Sequence, residues 1–159
     1  MQTRDRALRP GLPSRQLVPV GLCRRQQGRR IYLLDQMKRL EVVENSVFKR
    51  PSGLSMRSIF SNAWGIWNLD DKDLSKLETV RLKAKKGVAE RFNAVTFHDS
   101  QKVKMLPDDE AEVTFEVSGA GEMIPWIMSW GPTLEVLEPA WLKDELKGNL
   151  QNTLQVYNS

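Results

Sequence analysis

The chain has 159 residues, enough for one ordinary domain or two small ones and too few for a large multidomain enzyme. Apolar residues make up 40% and charged residues 28%, a soluble globular mixture that excludes a collagen-like, mucin-like or wholly disordered chain. The net charge of +4 hides a split: residues 1–50 hold 12 Lys+Arg against 4 Asp+Glu, and residues 51–159 hold 12 against 16.

The longest apolar stretches, Leu17 to Cys23 and Ile124 to Trp130, fall far short of the roughly 18 residues a membrane span needs. The basic N-terminus is not followed by the apolar core of a secretory signal. One cysteine, Cys23, excludes an internal disulfide framework and a cysteine-based zinc cage. These features favour a cytoplasmic protein without membrane contact. All eight basic residues among the first 30 are arginines, which suits either a patch for polyanions or a solvated leader.

Residues 1–16, with Pro10, Gly11, Pro13 and no period, read as a disordered basic leader. Residues 17–23 and 29–34 read as two strands around a turn at Arg24 to Gly28, and Leu40 to Val43 as a third. Pro19 demotes the first to an edge, and three short strands cannot bury a barrel core alone. Residues 17–50 therefore read as an incomplete domain. Residues 51–77 read as a helical linker, with a helix over 54–64 whose apolar positions are Met56, Ile59, Phe60, Ala63 and Trp64.

From residue 78 the pattern sharpens. Val80, Leu82 and Ala84 alternate with polar residues, as in a half-buried strand. A short helix over 85–92 follows, with Val88 and Phe92 on one face. Residues 101–106 alternate through Val103 and Met105, Pro107-Asp108-Asp109 is turn chemistry, and Ala111, Val113, Phe115 and Val117 complete a hairpin. Residues 121–130 form a helix that Gly131-Pro132 stops. Leu134 and Val136 mark one more strand. Pro139 opens a last helix with the stripe Leu142, Leu146, Leu150, Leu154 and Tyr157. The expected fold class is α+β, a ferredoxin-like split βαβ domain over 78–158 behind the barrel remnant.

Little points to catalysis. The lone His98 has no second ligand, Gly119-Ala120-Gly121 lacks the Lys-Ser/Thr of a phosphate loop, and no nucleophilic triad can be assembled. The expectation is a protein that is not an enzyme and holds no metal or cofactor. Of the five tryptophans, Trp126 and Trp130 are four apart on one helix with no Lys or Arg nearby, which favours core or interface over base stacking. Residues 106–159 hold 2 Lys+Arg against 10 Asp+Glu, which disfavours direct DNA contact there. The better nucleic-acid candidates are Arg24, Arg25, Arg29 and Arg30 with Tyr32.

The stretch Trp126-Ile127-Met128-Ser129-Trp130-Gly131-Pro132-Thr133-Leu134-Glu135-Val136-Leu137-Glu138-Pro139 resembles the C-terminal extension of WYL-domain bacterial transcriptional regulators. Phe60, Gly65-Ile66-Trp67, Val80-Arg81-Leu82, Phe97-His98-Asp99-Ser100-Gln101 and the helix from Trp141 sit where that family has its landmarks. Gly21 to Arg25 and Arg30 to Met37 resemble the end of the WYL domain, an Sm- or SH3-like small barrel. The tripeptide that names the family would fall at Leu17-Val18-Pro19 and is absent, and the family's usual arginine is Gln36 here. The resemblance implies an effector-sensing and dimerisation region, with DNA read by a helix-turn-helix outside this chain. It also implies a nucleic-acid or nucleotide effector at Arg24, Arg25, Arg29, Arg30, Tyr32, Gln36 and Arg39, and pairing with a second copy or a full-length relative. The alternatives are a stand-alone interaction module and a nucleic-acid-binding protein that uses the N-terminal arginines.

Overall fold

The computed structural model describes residues 19–23, 25, 28–41, 44–45, 60–65 and 76–158. The leader 1–16, the start of the predicted linker helix (54–59), residues 70–75, Arg24, Val42, Val43 and Trp67 lie outside them.

The front part is an antiparallel pair, β1 (Val20–Cys23) and β2 (Gly28–Ile31), with Gly21 opposite Arg30 and Cys23 opposite Gly28. The Tyr32 N–H donates to the Pro19 carbonyl at 3.0 Å and extends the pairing by one rung. Beyond it the chain departs from expectation. The second strand stops at Ile31, and Leu34–Gln36 form a 3-10 turn. Leu40 and Glu41 are irregular, so the predicted third strand has no described residue in a ladder. Leu40 is 71% exposed, which removes the buried face that would have held it in a sheet.

The second part is a four-stranded antiparallel sheet built from β3 (Glu78–Ala84), β4 (Lys102–Met105), β5 (Ala111–Val117) and β6 (Leu134–Glu138). Helices α1 (Ala89–Ala94), α2 (Met123–Met128) and α3 (Ala140–Tyr157) complete it. The chain order β3-α1-β4-β5-α2-β6-α3 is the one the hydrophobic periods predict. In space the strands run β4-β5-β3-β6.

Alternation decides which face is inside. Val80, Leu82 and Ala84 of β3 pair with Phe115, Val113 and Ala111 of β5, and all six are fully buried. Phe92 of α1, Met123, Ile124, Trp126 and Ile127 of α2, and Leu142 of α3 close over them. β6 carries a bulge: Arg81 pairs with Glu138 but Leu82 with Val136, so Leu137 is the extra residue. The bulge returns Glu138 to the outward face beside Arg81. On edge strand β4, Val103 packs on the core but Met105 is 46% exposed, so its predicted alternation reaches only halfway.

Local chemistry shifts two helix boundaries. Gly87 takes φ +92°, a left-handed conformation that ends any helix beginning at Lys85, and α1 starts only at Ala89. Ahead of α2, Gly119 at φ +72° turns the chain into a 3-10 turn over Ala120–Glu122. Gly131 at φ +57° follows the end of α2, as the predicted stop requires.

Two expectations fail because tertiary context, not local periodicity, decides what is paired and what is buried. Residues 60–65 are not the end of a helix: Ala63 forms a parallel bridge with Ser118, just past β5. The α3 stripe is core only at its start. Leu142 is fully buried and Leu146 packs on the core, but Leu150 is 49%, Leu154 60% and Tyr157 83% exposed. An 18-residue helix is about 27 Å long. The five residues of β6 span only about 17 Å.

Candidate functional site

The hairpin at the front carries the residues predicted to meet a ligand. The β1–β2 register puts Gly21, Cys23, Arg30 and Tyr32 on one face. The Tyr32 ring is 38% exposed. Its hydroxyl and the Cys23 thiol share a hydrogen bond, which pushes the phenol above its ordinary value; desolvation adds to this and the Arg30 charge opposes it. Arg25 is exposed in the turn. Arg29 lies on β2 opposite Leu22. Gln36 is exposed in the 3-10 turn. Arg39 is exposed and bonds Glu41, Nε to Oε1, at 2.6 Å. The structure therefore brings Arg30 to Tyr32, and commits Arg39 to a carboxylate. Arg24 lies outside the described residues.

The outward face of the sheet is a charge ladder. Arg81 holds Glu112 through two hydrogen bonds, 3.2 and 2.9 Å, and Glu138 at 3.1 Å. Lys83 pairs with Glu110 at 2.6 Å and Lys102 with Glu116 at 3.4 Å. The Arg81 guanidinium holds the Glu112 carboxyl below its ordinary value, and Glu110 raises the Lys83 ammonium. Most of these cations already face carboxylates, and the outward positions of β3 and β5 (Thr79, Arg81, Lys83, Glu112, Thr114, Glu116) include no aromatic ring. The face lacks the stacking platform that single-stranded nucleic acid needs.

The inward side holds an aromatic cluster that joins residues 60–65 to the domain. Trp64 stacks on His98 at 5.8 Å, meets Phe115 edge-on at 5.3 Å and lies 4.7 Å from Trp126. Phe92, Phe97 and Trp130 continue the cluster, with the Arg91 guanidinium 5.2 Å from the Trp130 ring centre. His98, read as a structural loop residue, is 3% exposed. Its Nδ1 accepts from the Ser100 N–H at 3.1 Å and lies 2.8 Å from the Ser100 hydroxyl. That hydroxyl accepts from the Glu116 N–H at 2.9 Å. Ser100 Oγ–H is then the donor to Nδ1, so the ring proton belongs on Nε2. The spacing of Trp126 and Trp130 favours core or interface, and Trp126 lies in the core cluster with Trp130 packed against it; that spacing does not announce the strand-like contact of residues 62–64, because a helical period covers it.

Two open surfaces stand out among the described residues. A cleft of about 400 Å³ is lined by Lys76, Glu78, Gly119 to Glu122 and Trp141, whose indole is 41% exposed. The outer half of α3 presents Leu150, Leu154 and Tyr157 to solvent. Among the described residues no three His, Cys, Asp or Glu side chains gather as metal ligands, and no helix is long and apolar enough to cross a membrane.

These features define a small α+β domain that seats a preceding segment in its aromatic core and offers an apolar helix end. Residues 76–154 match the WCX domain family, and the chain carries a WCX domain, the C-terminal extension that accompanies WYL domains. No curated protein matches the chain. Among solved structures it is similar to proteasome accessory factor B/C (PafBC) of Arthrobacter aurescens, at 19% identity and a TM-score of 0.39. That match covers 86% of this chain and 20% of the other, so the chain spans about a fifth of that protein's length.

Proposed function

We propose that this chain is the effector-sensing and dimerisation region of a WYL-type transcriptional regulator, in which a helix-turn-helix supplies DNA recognition. The observation that carries the reading is the WCX domain over residues 76–154. The open end of α3 supports the dimerisation half. Leu146, Leu150 and Leu154 repeat every four residues, and the last two are about half or more exposed. The effector half rests on the hairpin, where Arg30 and the solvent-facing ring of Tyr32 share one face and Arg25 stands at the turn. That chemistry suits a phosphate-bearing, base-containing ligand. The role is regulatory and not enzymatic.

Sedimentation velocity of the full chain tests the first half. Wild type should sediment as a dimer, and Leu150→Glu/Leu154→Glu as a folded monomer. A wild-type chain that stays monomeric at about 100 μM, well above ordinary cellular dimer affinities, would refute it. The second reading, a protein that binds nucleic acid through the hairpin alone, is favoured by the same Arg30–Tyr32 face.

A further inference from the structure

The WCX domain holds residues 62–65 as a peptide-binding module holds its ligand. The Ser118 N–H donates to the Asn62 carbonyl at 2.8 Å, and the Trp64 N–H donates to the Ser118 carbonyl at 3.1 Å. Both backbone groups of Ser118 are therefore spent on this segment. Between them Ala63 is 2% exposed, so only a small side chain fits at that step. Trp64 then enters the pocket formed by His98, Phe115 and Trp126. Gly65 is buried, and a Cβ there would collide with the Glu122 carboxylate. Backbone pairing with an exposed strand end, followed by a side-chain pocket, is how β-augmentation sites recognise extended peptides. Ser118 itself is 1% exposed, and its hydroxyl makes no hydrogen bond among the described residues. That leaves one buried polar atom of the seat available to an incoming chain.

We infer that the strip from Ser118 to the His98–Phe115–Trp126 pocket is a displaceable peptide-binding site. Its ligand is an extended segment that reads small residue, tryptophan, glycine. In this chain the site is filled from within by Ala63-Trp64-Gly65. Such a segment arriving from another polypeptide must displace the resident one. Displacement would release residues 62–65 from the WCX domain. Each position of the recognised triplet follows from a contact: alanine from the buried bridge, tryptophan from three rings, and a preference for glycine from the close approach of the Glu122 side chain. The inference stands apart from the proposed function, since peptide exchange can fail with self-association intact, and the reverse.

Fluorescence polarisation with a labelled peptide of residues 60–65 tests it on three full-length proteins: wild type, Trp64→Ala and Gly65→Val. Trp64→Ala removes the ring that anchors the resident segment, and Gly65→Val loosens that segment by forcing the Glu122 carboxylate aside, without altering any pocket residue. Each should bind the peptide. Wild type should bind at least about tenfold more weakly, because its own segment competes at an effective concentration on the order of millimolar. A peptide carrying the Trp64→Ala change should not bind either variant. The inference is overturned if cooperatively folding variants do not bind the peptide, if wild type binds as tightly as they do, or if the tryptophan-free peptide binds equally. It is also overturned if neither variant melts cooperatively, since the segment would then be fixed core.

Discussion

At the scale of single residues, two groups separate stability from surface chemistry. Phe115 is fully exposed to the core and not at all to water, and it touches both Trp64 and Trp126. Phe115→Ala should cost about 3–5 kcal/mol, read as a lower denaturation midpoint, because the rings around it cannot all collapse into the space. Arg81 and Glu112 act at the surface. The Glu112 carboxyl is held below its ordinary value by Arg81, so the folded state binds that proton more weakly than the unfolded chain does. The contribution is complete above the unfolded value and lost as pH falls through the lower folded one. Thermal melts of Arg81→Gln should therefore approach those of wild type as the pH drops below about 4, and differ most near neutrality. A gap that stays constant with pH would assign Arg81 a packing role instead. The pattern that put Phe115 inside was legible in the alternation of β5. The Arg81–Glu112–Glu138 triad was not, because it depends on a bulge at Leu137 that period-2 alternation does not announce.

Elements were legible to the extent that their own surface decided them. Apart from edge strand β4, the strands and helices from residue 78 on bury a stripe spaced for their type, and the structure keeps them within a few residues. The exceptions have one cause in common. Residues 60–64 carry helical spacing, yet Asn62 and Trp64 give their backbone groups to Ser118, a partner more than fifty residues away. Likewise the α3 stripe continues past the length of β6, so an unbroken pattern covers two different fates. This yields a sharp contrast within one helix. Leu142→Ala removes a fully buried side chain and should cost about 2–5 kcal/mol. Leu150→Glu with Leu154→Glu changes positions 49% and 60% exposed in the monomer. The double variant should keep the monomer's fold, seen in an unchanged circular dichroism spectrum, and lose the dimer. If it instead unfolds, the outer half of α3 is covered by this chain's own residues.

Across the whole molecule, charge and structure divide in the same order, a basic stretch first and an acidic one after it. The acidic half folds into a domain most of whose outward cations already face carboxylates: Arg81 with Glu112 and Glu138, Lys83 with Glu110, Lys102 with Glu116. The basic half keeps Arg25 exposed and places Arg30 beside an open tyrosine ring. The seven candidate ligand residues rest on arginine density and a family likeness, and spacing alone does not show that Arg39 is tied to Glu41. If the hairpin meets a nucleic acid, its affinity should fall steeply with salt, and the steepness counts the phosphates contacted. Replacing Arg24, Arg25, Arg29 and Arg30 by Ala should flatten the slope of log K against log salt by about 3 for a single strand, at roughly 0.7 per phosphate. Lys102→Ala with Lys104→Ala, on the outward face of the sheet, should leave that slope unchanged. Equal flattening by both sets would move the contact onto the WCX domain, and its ion-pair ladder would then have to open when the nucleic acid binds.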